Sequence, residues 1–335
     1  GGSDGGSIAR RLQQERAGRK QHPFMALSIS SIAIVATIAA TVTVDEAVAG
    51  MAVNRIDEAF IPSLPLGAAR SIAAKCERTQ SYGPRLLTQP VKIFRMSRNP
   101  GANMRKLQLH HQWLQSQATT AKQAAAAVHV EDMHVLHMVA KRLARANPSG
   151  IVSVETGFAN GASSVAILAA LDNRSTHLAI DPLQNAPPPF LKYDGMGLRG
   201  VQRYLATGAP GTMPSFIHVN ETASLALATL LSRRLCVDLF FMDDGHLLDQ
   251  NMLELHHADS LLKEGGILAF HDNWMPSVQT AVDFARTNLG YASVLPPPLS
   301  DVALDKLLIT VMVKPVSRPD RPWDHYEAFR TTWPR

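Results

Sequence analysis

The stretch from Ile151 to Asp181, IVSVETGFANGASSVAILAALDNRSTHLAID, constrains the fold most. It reads as a buried strand, a glycine-bearing turn, a helix, and a second strand ending in an acid. That order builds a nucleotide-type pocket at the carboxyl edge of a parallel sheet. Glu155 stands where a dinucleotide site has its first glycine, and the following glycines, Gly157 and Gly161, are four residues apart. The fingerprint G-x-G-x-x-G is therefore absent, which disfavours a nicotinamide oxidoreductase.

From 151 onward, short apolar runs alternate with amphipathic stretches, as in an α/β sheet covered on both faces. The pattern predicts strands at 151–155, 177–181, 215–219, 236–242 and 266–271. It predicts helices at 161–171, 196–206, 222–231, 247–263 and 276–288. Leu248, Met252, Leu255 and Leu262 share one face of the fourth helix, and Val278, Val282, Ala285 and Leu289 one face of the fifth. Val294 and Leu295 read as the start of a sixth strand, and Leu307 to Val313 as a seventh.

The chain has 335 residues, 46% hydrophobic and 18% charged, so it can bury a large core. Its formal net charge of +5 comes without a dense Lys/Arg run interleaved with aromatics, and no nucleic-acid partner is expected. Cys76 and Cys236 are too far apart in sequence for a metal knuckle or a disulfide framework. Cys236 reads as a small core residue inside a strand.

Residues 1–23 are polar and basic; their GGSDGGS opening reads as a linker or an incomplete reading frame, with Met25 as a candidate start. Residues 24–44 carry no charge, and that length can span a hydrocarbon core of roughly 30 Å. Three readings compete: a single-pass membrane anchor, a cleaved segment targeting an organelle or the secretory route with 47–52 as the cleavage region, and a buried helix. Basic residues before the segment and Asp45 and Glu46 after it favour a cytoplasmic amino terminus. An uncleaved anchor in that orientation would place the remaining domain across the membrane. Residues 45–104, broken by Pro and Gly, read as a linker with short helices. Residues 105–148 form a helical cap, with Val135, Met138, Val139 and Leu143 at helical spacing before Pro148, Ser149 and Gly150 stop it. The domain proper occupies 149–316, and the tail 317–335, rich in Arg, Pro and Trp, is expected on the surface.

An acid, then Gly-x-x-x-Gly, then an acid closing the next strand resembles a class I S-adenosylmethionine-dependent methyltransferase. The resemblance implies that Glu155 lies near the methionyl end of the cofactor. Gly157 lets the cofactor approach the main chain. Gly161 opens a helix whose amino end suits a carboxylate, with Ser163 as an added hydroxyl donor. Asp181, closing the second strand, is positioned to accept the ribose hydroxyls.

Two further runs, VDLFFMDDGH at 237–246 and KEGGILAFHDNWMPS at 263–277, deliver polar residues to the carboxyl ends of apolar strands. They resemble the FIDGxH and GG-hydrophobic-HD segments of the methyltransferase-24-like family, which includes sugar and macrolide O-methyltransferases. That resemblance covers roughly residues 130–315. It implies a Rossmann-like, doubly wound seven-stranded sheet closed by a late hairpin, with helices on both faces and the amino-terminal helices as an extension. Relatives often have glycine where this chain has Asp244, which leaves the metal ligand on the first strand open between Asp243 and Asp244.

Asp243, Asp272 and Asn273 offer hard oxygen ligands from neighbouring strand ends, as Mg²⁺ prefers. The competing reading is that Asp243 orders the pocket, Asp272 caps the last helix, and no metal binds. His246, three residues after Asp243, is the candidate base, because imidazole titrates near neutrality. Its alternative is a hydrogen-bonded loop histidine. His271 reads as structural, substrate-facing, or supporting a ligand, and Trp274 and Met275 as walls of the acceptor pocket or packing for the helix. Asp243 is expected to serve both the cofactor and the chemistry. His110, His111, His129, His134, His137, His256 and His257 read as solvated or core residues, the His134/His137 pair matching no metal motif.

The function expected is methyl transfer from S-adenosyl-L-methionine to an oxygen of a small molecule or sugar, assisted by Mg²⁺ if the metal reading holds. The rival is a membrane-tethered scaffold that keeps the fold without activity. The acceptor's identity and the oligomeric state cannot be read from these residues.

Overall fold

The computed structural model describes residues 102–117, 128–185, 195–209, 211–294, 307–317, 321–322 and 324–329. The expectations for 1–23, for the uncharged segment 24–44, and for Cys76 lie outside these residues, as does nearly all of 45–104. No helix among the described residues is long and apolar enough to cross a membrane.

Two helices come first, α1 (Ala102–Gln117) and α2 (Val130–Ala146). Then β1 (Val152–Thr156), α3 (Ala162–Leu168) and β2 (Thr176–Ile180) form the opening unit. A 3₁₀ turn at Pro182–Asn185 follows. Next come α4 (Met196–Leu205), β3 (Ser215–Val219), α5 (Ala223–Ser232) and β4 (Val237–Met242). The chain continues with α6 (Leu248–Leu261), β5 (Leu262–Phe270), α7 (Pro276–Thr287), β6 (Ala292–Ser293) and β7 (Thr310–Val313).

The strands form a seven-stranded sheet in the order β3-β2-β1-β4-β5-β7-β6. β1 to β5 run parallel, and β7 runs antiparallel between β5 and β6. This is the doubly wound sheet with a closing hairpin that the resemblance implied. β1, β2 and β4 are buried at every position, as expected of strands covered on both faces. The helices fall into two packed groups, α1 to α4 and α5 to α7, as expected when right-handed crossovers cover both faces of a parallel sheet. Leu107, Leu114, Met133, Leu136 and Leu143 of the first two helices join Val165 and Ile167 of α3 in one core.

β3 coincides with its expected span, and most other limits shift by a residue or two. β5 differs more, starting at Leu262 instead of 266. Leu262 caps α6 and pairs with Val237 across a register shift, so the strand starts without an intervening loop. The sixth strand is Ala292–Ser293, so it ends just before Val294, where it was expected to begin.

The strand order reverses between β1 and β4, and at such a switch point the carboxyl ends of the two strands open a crevice. At the opposite end, buried Asp238 accepts the Val152 backbone N–H at 2.7 Å and pairs with Lys263 at 2.8 Å. His137 is a core residue as expected: Nδ1 lies 3.2 Å from the Ala166 carbonyl, and burial lowers its pKa to about 4. Cys236 corrects its expectation. It precedes β4, is half-buried, and is not in the core. The tail is tied to the end of α7: Asn288 bonds both the carbonyl and the N–H of Glu327, Arg321 donates to the Asn288 carbonyl, and Phe329 packs against Phe284.

Candidate functional site

The residues singled out from the sequence converge on the switch-point edge. Glu155 is next to last in β1, and its side chain is fully buried. Its carboxylate accepts from the hydroxyls of Ser163 and Ser164 on α3 and lies 3.1 Å from His177 Nε2 on β2. Ser163 therefore supports Glu155. The sequence pointed to neither Ser164 nor His177, because both fall at ordinary buried positions of their elements.

The turn after β1 is built by two glycines with φ of +80°, Gly157 and Gly161. A Cβ on Gly157 would run into the carbonyl of Asp243, so this turn lies directly on the end of β4. Between them, Ala159 takes φ +43°, a conformation uncommon outside glycine. Its N–H donates to Asp181 Oδ2 at 2.7 Å, while Asp181 Oδ1 accepts the Leu183 N–H at 2.5 Å. Asp181 is thus held across the turn from β1. Burial raises its pKa, partly offset by the two backbone hydrogen bonds.

Asp243, at the end of β4, lies 3.0 Å from His271 Nδ1. Burial pushes its carboxyl up to about 6, with the neighbouring His271 charge opposing. Asp272 takes φ +51° after β5 and spreads its carboxylate over several partners. Oδ2 meets His246 Nε2 at 2.8 Å and His271 Nδ1 at 3.6 Å, and Oδ1 accepts from Trp274 Nε1 at 3.0 Å. Burial favours a raised pKa for Asp272, but the His246 hydrogen bond and the neighbouring His271 hold it well below the usual carboxylate range. The same bond to Asp272 is the main cause that raises His246. For His271, burial acts downward, and the carboxylates around the ring, Asp243 first and then Asp132 and Asp272, outweigh it, pushing the imidazole up to about 12.

Asp272 does not cap α7, which begins after Met275 with no side-chain cap. One ligand atom from each of Asp243, His246 and Asp272 can be chosen so that all lie within 4.8 Å of one another. Two carboxylates and an imidazole at that spacing fit a hard or borderline divalent cation. Asn273, the third oxygen ligand expected, is anchored from outside this group. Its side-chain amide donates to Thr310 Oγ1 at 3.2 Å and its backbone N–H to the Leu308 carbonyl at 3.0 Å.

Asp244, the departure noted in the sequence, points elsewhere. It shares a hydrogen bond with Glu254 of α6, and Glu254 also accepts from Thr156 Oγ1 at 2.9 Å. Burial is the main cause pushing Glu254 up to about 8, so the Asp244–Glu254 pair holds a proton near neutrality. A folded-state pKa above the ordinary 4.5 contributes stability that is complete below that value and lost as pH rises through about 8. Glu254→Gln cannot ionise. Its melting temperature relative to wild type should rise by roughly 5 °C between about pH 5 and pH 9. A pH-independent difference would contradict the protonated assignment.

Residues 154–273, which carry Glu155, Asp181, Asp243, His246 and Asp272, match the family described as a methyltransferase domain. The match is confined to that segment, which is similar to a methyltransferase domain. Solved structures similar to the chain include the O-methyltransferase TomG from Streptomyces achromogenes, involved in tomaymycin synthesis and crystallised with SAM. TomG is 14% identical, with 65% of this chain and 91% of that one covered and a TM-score of 0.42. An O-methyltransferase from Bacillus cereus in complex with SAH is 11% identical, covering 65% and 93%, with a TM-score of 0.41. A Corynebacterium glutamicum protein is 17% identical, covering 64% and 99%, also at 0.41. No curated protein matches the chain.

Proposed function

We propose that the methyltransferase domain transfers a methyl group from S-adenosylmethionine to a hydroxyl of a small molecule or sugar. One observation carries the reading: Asp181 and the Asp243–His246–Asp272 group stand at the same switch-point edge, on either side of the Gly157 turn. When bound, the cofactor supplies an electrophilic methyl on a sulfonium. Asp181, oriented by Ala159 and Leu183, would accept the ribose hydroxyls. The Gly157 turn would let the methionyl portion lie against the main chain.

The acceptor hydroxyl would sit among Asp243, His246 and Asp272. With Nε2 held by Asp272, His246 offers Nδ1 to take the proton as the oxygen attacks in line. The three side chains would alternatively hold Mg²⁺, which lowers the pKa of a bound hydroxyl. Trp274 is 57% exposed although Asp272 fixes its indole N–H, and Leu247 and Leu248 are also exposed. These groups would carry the apolar body of the acceptor. The uncharged segment 24–44 would tether the enzyme to a membrane or direct its targeting.

Calorimetric titration with S-adenosylhomocysteine tests the reading. Wild type should bind, and Asp181→Ala should bind about 100-fold more weakly, having lost two hydrogen bonds to a charged group. A folded wild-type protein that binds neither the cofactor nor its demethylated product would refute it.

A further inference from the structure

Asp132 stands in the first turn of α2, outside the matched segment 154–273, yet it reaches the site. Its side chain is fully buried. Oδ1 accepts the Leu308 backbone N–H at 3.1 Å, and the Leu308 carbonyl accepts the Asn273 N–H at 3.0 Å. Oδ2 faces His271 Nε2 at 3.5 Å. Both of these atoms are buried, and neither has a hydrogen-bond partner among the described residues. The opposite edge of the same imidazole meets Asp243 at 3.0 Å and Asp272 at 3.6 Å.

A buried carboxylate oxygen without a hydrogen bond is costly, so its placement beside a ring nitrogen calls for an explanation. The geometry supplies one. His271 is confined between Asp132 on one edge and the two rim carboxylates on the other. The ring cannot swing toward either side without losing a charged neighbour.

We propose that Asp132 is a positioning residue. Through His271 it fixes the Asp243 carboxylate in the orientation in which Asp243, His246 and Asp272 hold a divalent cation. The proposal rests on the metal-assisted form of the function above. Partners that orient a ligand from outside the coordination sphere change metal affinity by about 10–100-fold when removed. Loss of the Asp132 charge also weakens the attraction for a cation nearby, so both effects have the same sign. The cap helix and the segment leading into β7 thereby complete a site whose other members lie in the matched segment.

Mn²⁺ alone serves as the probe, its binding followed by electron paramagnetic resonance, with S-adenosylhomocysteine titrated in parallel. Asp132→Asn is the decisive variant, because its amide oxygen keeps an acceptor for the Leu308 N–H. The expected result is Mn²⁺ affinity at least tenfold lower than wild type, with S-adenosylhomocysteine affinity within twofold. Asp132→Ala should lose at least as much. Equal Mn²⁺ affinity in Asp132→Asn and wild type overturns the proposal, as does a wild type that binds S-adenosylhomocysteine but no Mn²⁺. Parallel loss of both ligands in Asp132→Asn overturns it too, since that marks a structural role alone. A wild type that does not bind S-adenosylhomocysteine defeats the methyl-transfer reading instead, and the Mn²⁺ comparison still decides the role of Asp132.

Discussion

Replacing Asp272 by alanine is expected to lower methyl transfer by about a thousandfold while leaving S-adenosylhomocysteine affinity within about twofold. Asp272 stands at the centre of the acceptor side: one carboxylate contacts His246, His271 and Trp274. Its removal releases the candidate base, one wall of the acceptor surface, and a cation ligand together. None of its partners belongs to the Asp181 turn, so the cofactor side should be spared. The assay is transfer of labelled methyl into a metabolite extract, with calorimetry on the same preparations. Retained transfer in Asp272→Ala, or loss of cofactor affinity in step with activity, would remove Asp272 from the chemistry. If chelation of divalent metal leaves wild-type transfer unchanged, His246 and Asp272 act without a cation.

Glu155→Ala is expected to destabilise the fold by about 3–5 kcal/mol, because removing one member of a buried charged network leaves the others uncompensated. Ser163, Ser164 and His177 all direct polar atoms at this carboxylate, and no solvent reaches it. Urea unfolding should show a lower midpoint. Cofactor affinity should fall as well, since both serines belong to α3, which begins at the turn beside the pocket. A variant with wild-type stability and weakened cofactor binding would restore Glu155 to direct contact with the cofactor.

A residue's role is legible in the sequence when its partners lie nearby in the chain. The β1–α3–β2 unit was legible because its signals are local: an apolar run, two glycines, a helix and a closing acid within thirty-odd residues. Asp181, Asp243, His246 and Asp272 were legible as strand-end residues, since open parallel sheets bind ligands at that edge. Asp132 was not, because its partners Leu308 and His271 are distant in the chain and only tertiary packing brings them together. Asn273 shows the converse. Its neighbour Asp272 turns toward β4, whereas Asn273 bonds Thr310 of β7, a choice that composition alone does not reveal. Cys236 was misread because an apolar run does not mark its own first residue: the strand begins one position later.

The polar row under the crevice also settles an alignment problem. β1 and β2 are buried at all five positions, so apolar patterning alone would tolerate slippage between them. Ser153 lies opposite His177 in the ladder, with its hydroxyl 2.9 Å from Nδ1, while Nε2 of that ring reaches Ser164 at 2.9 Å and Glu155 at 3.1 Å. A shift of one residue would carry the imidazole to the other face and strand an acid in hydrocarbon. The pair of strands therefore works like a key cut for a single insertion depth, and mispaired intermediates are penalised before any ligand arrives.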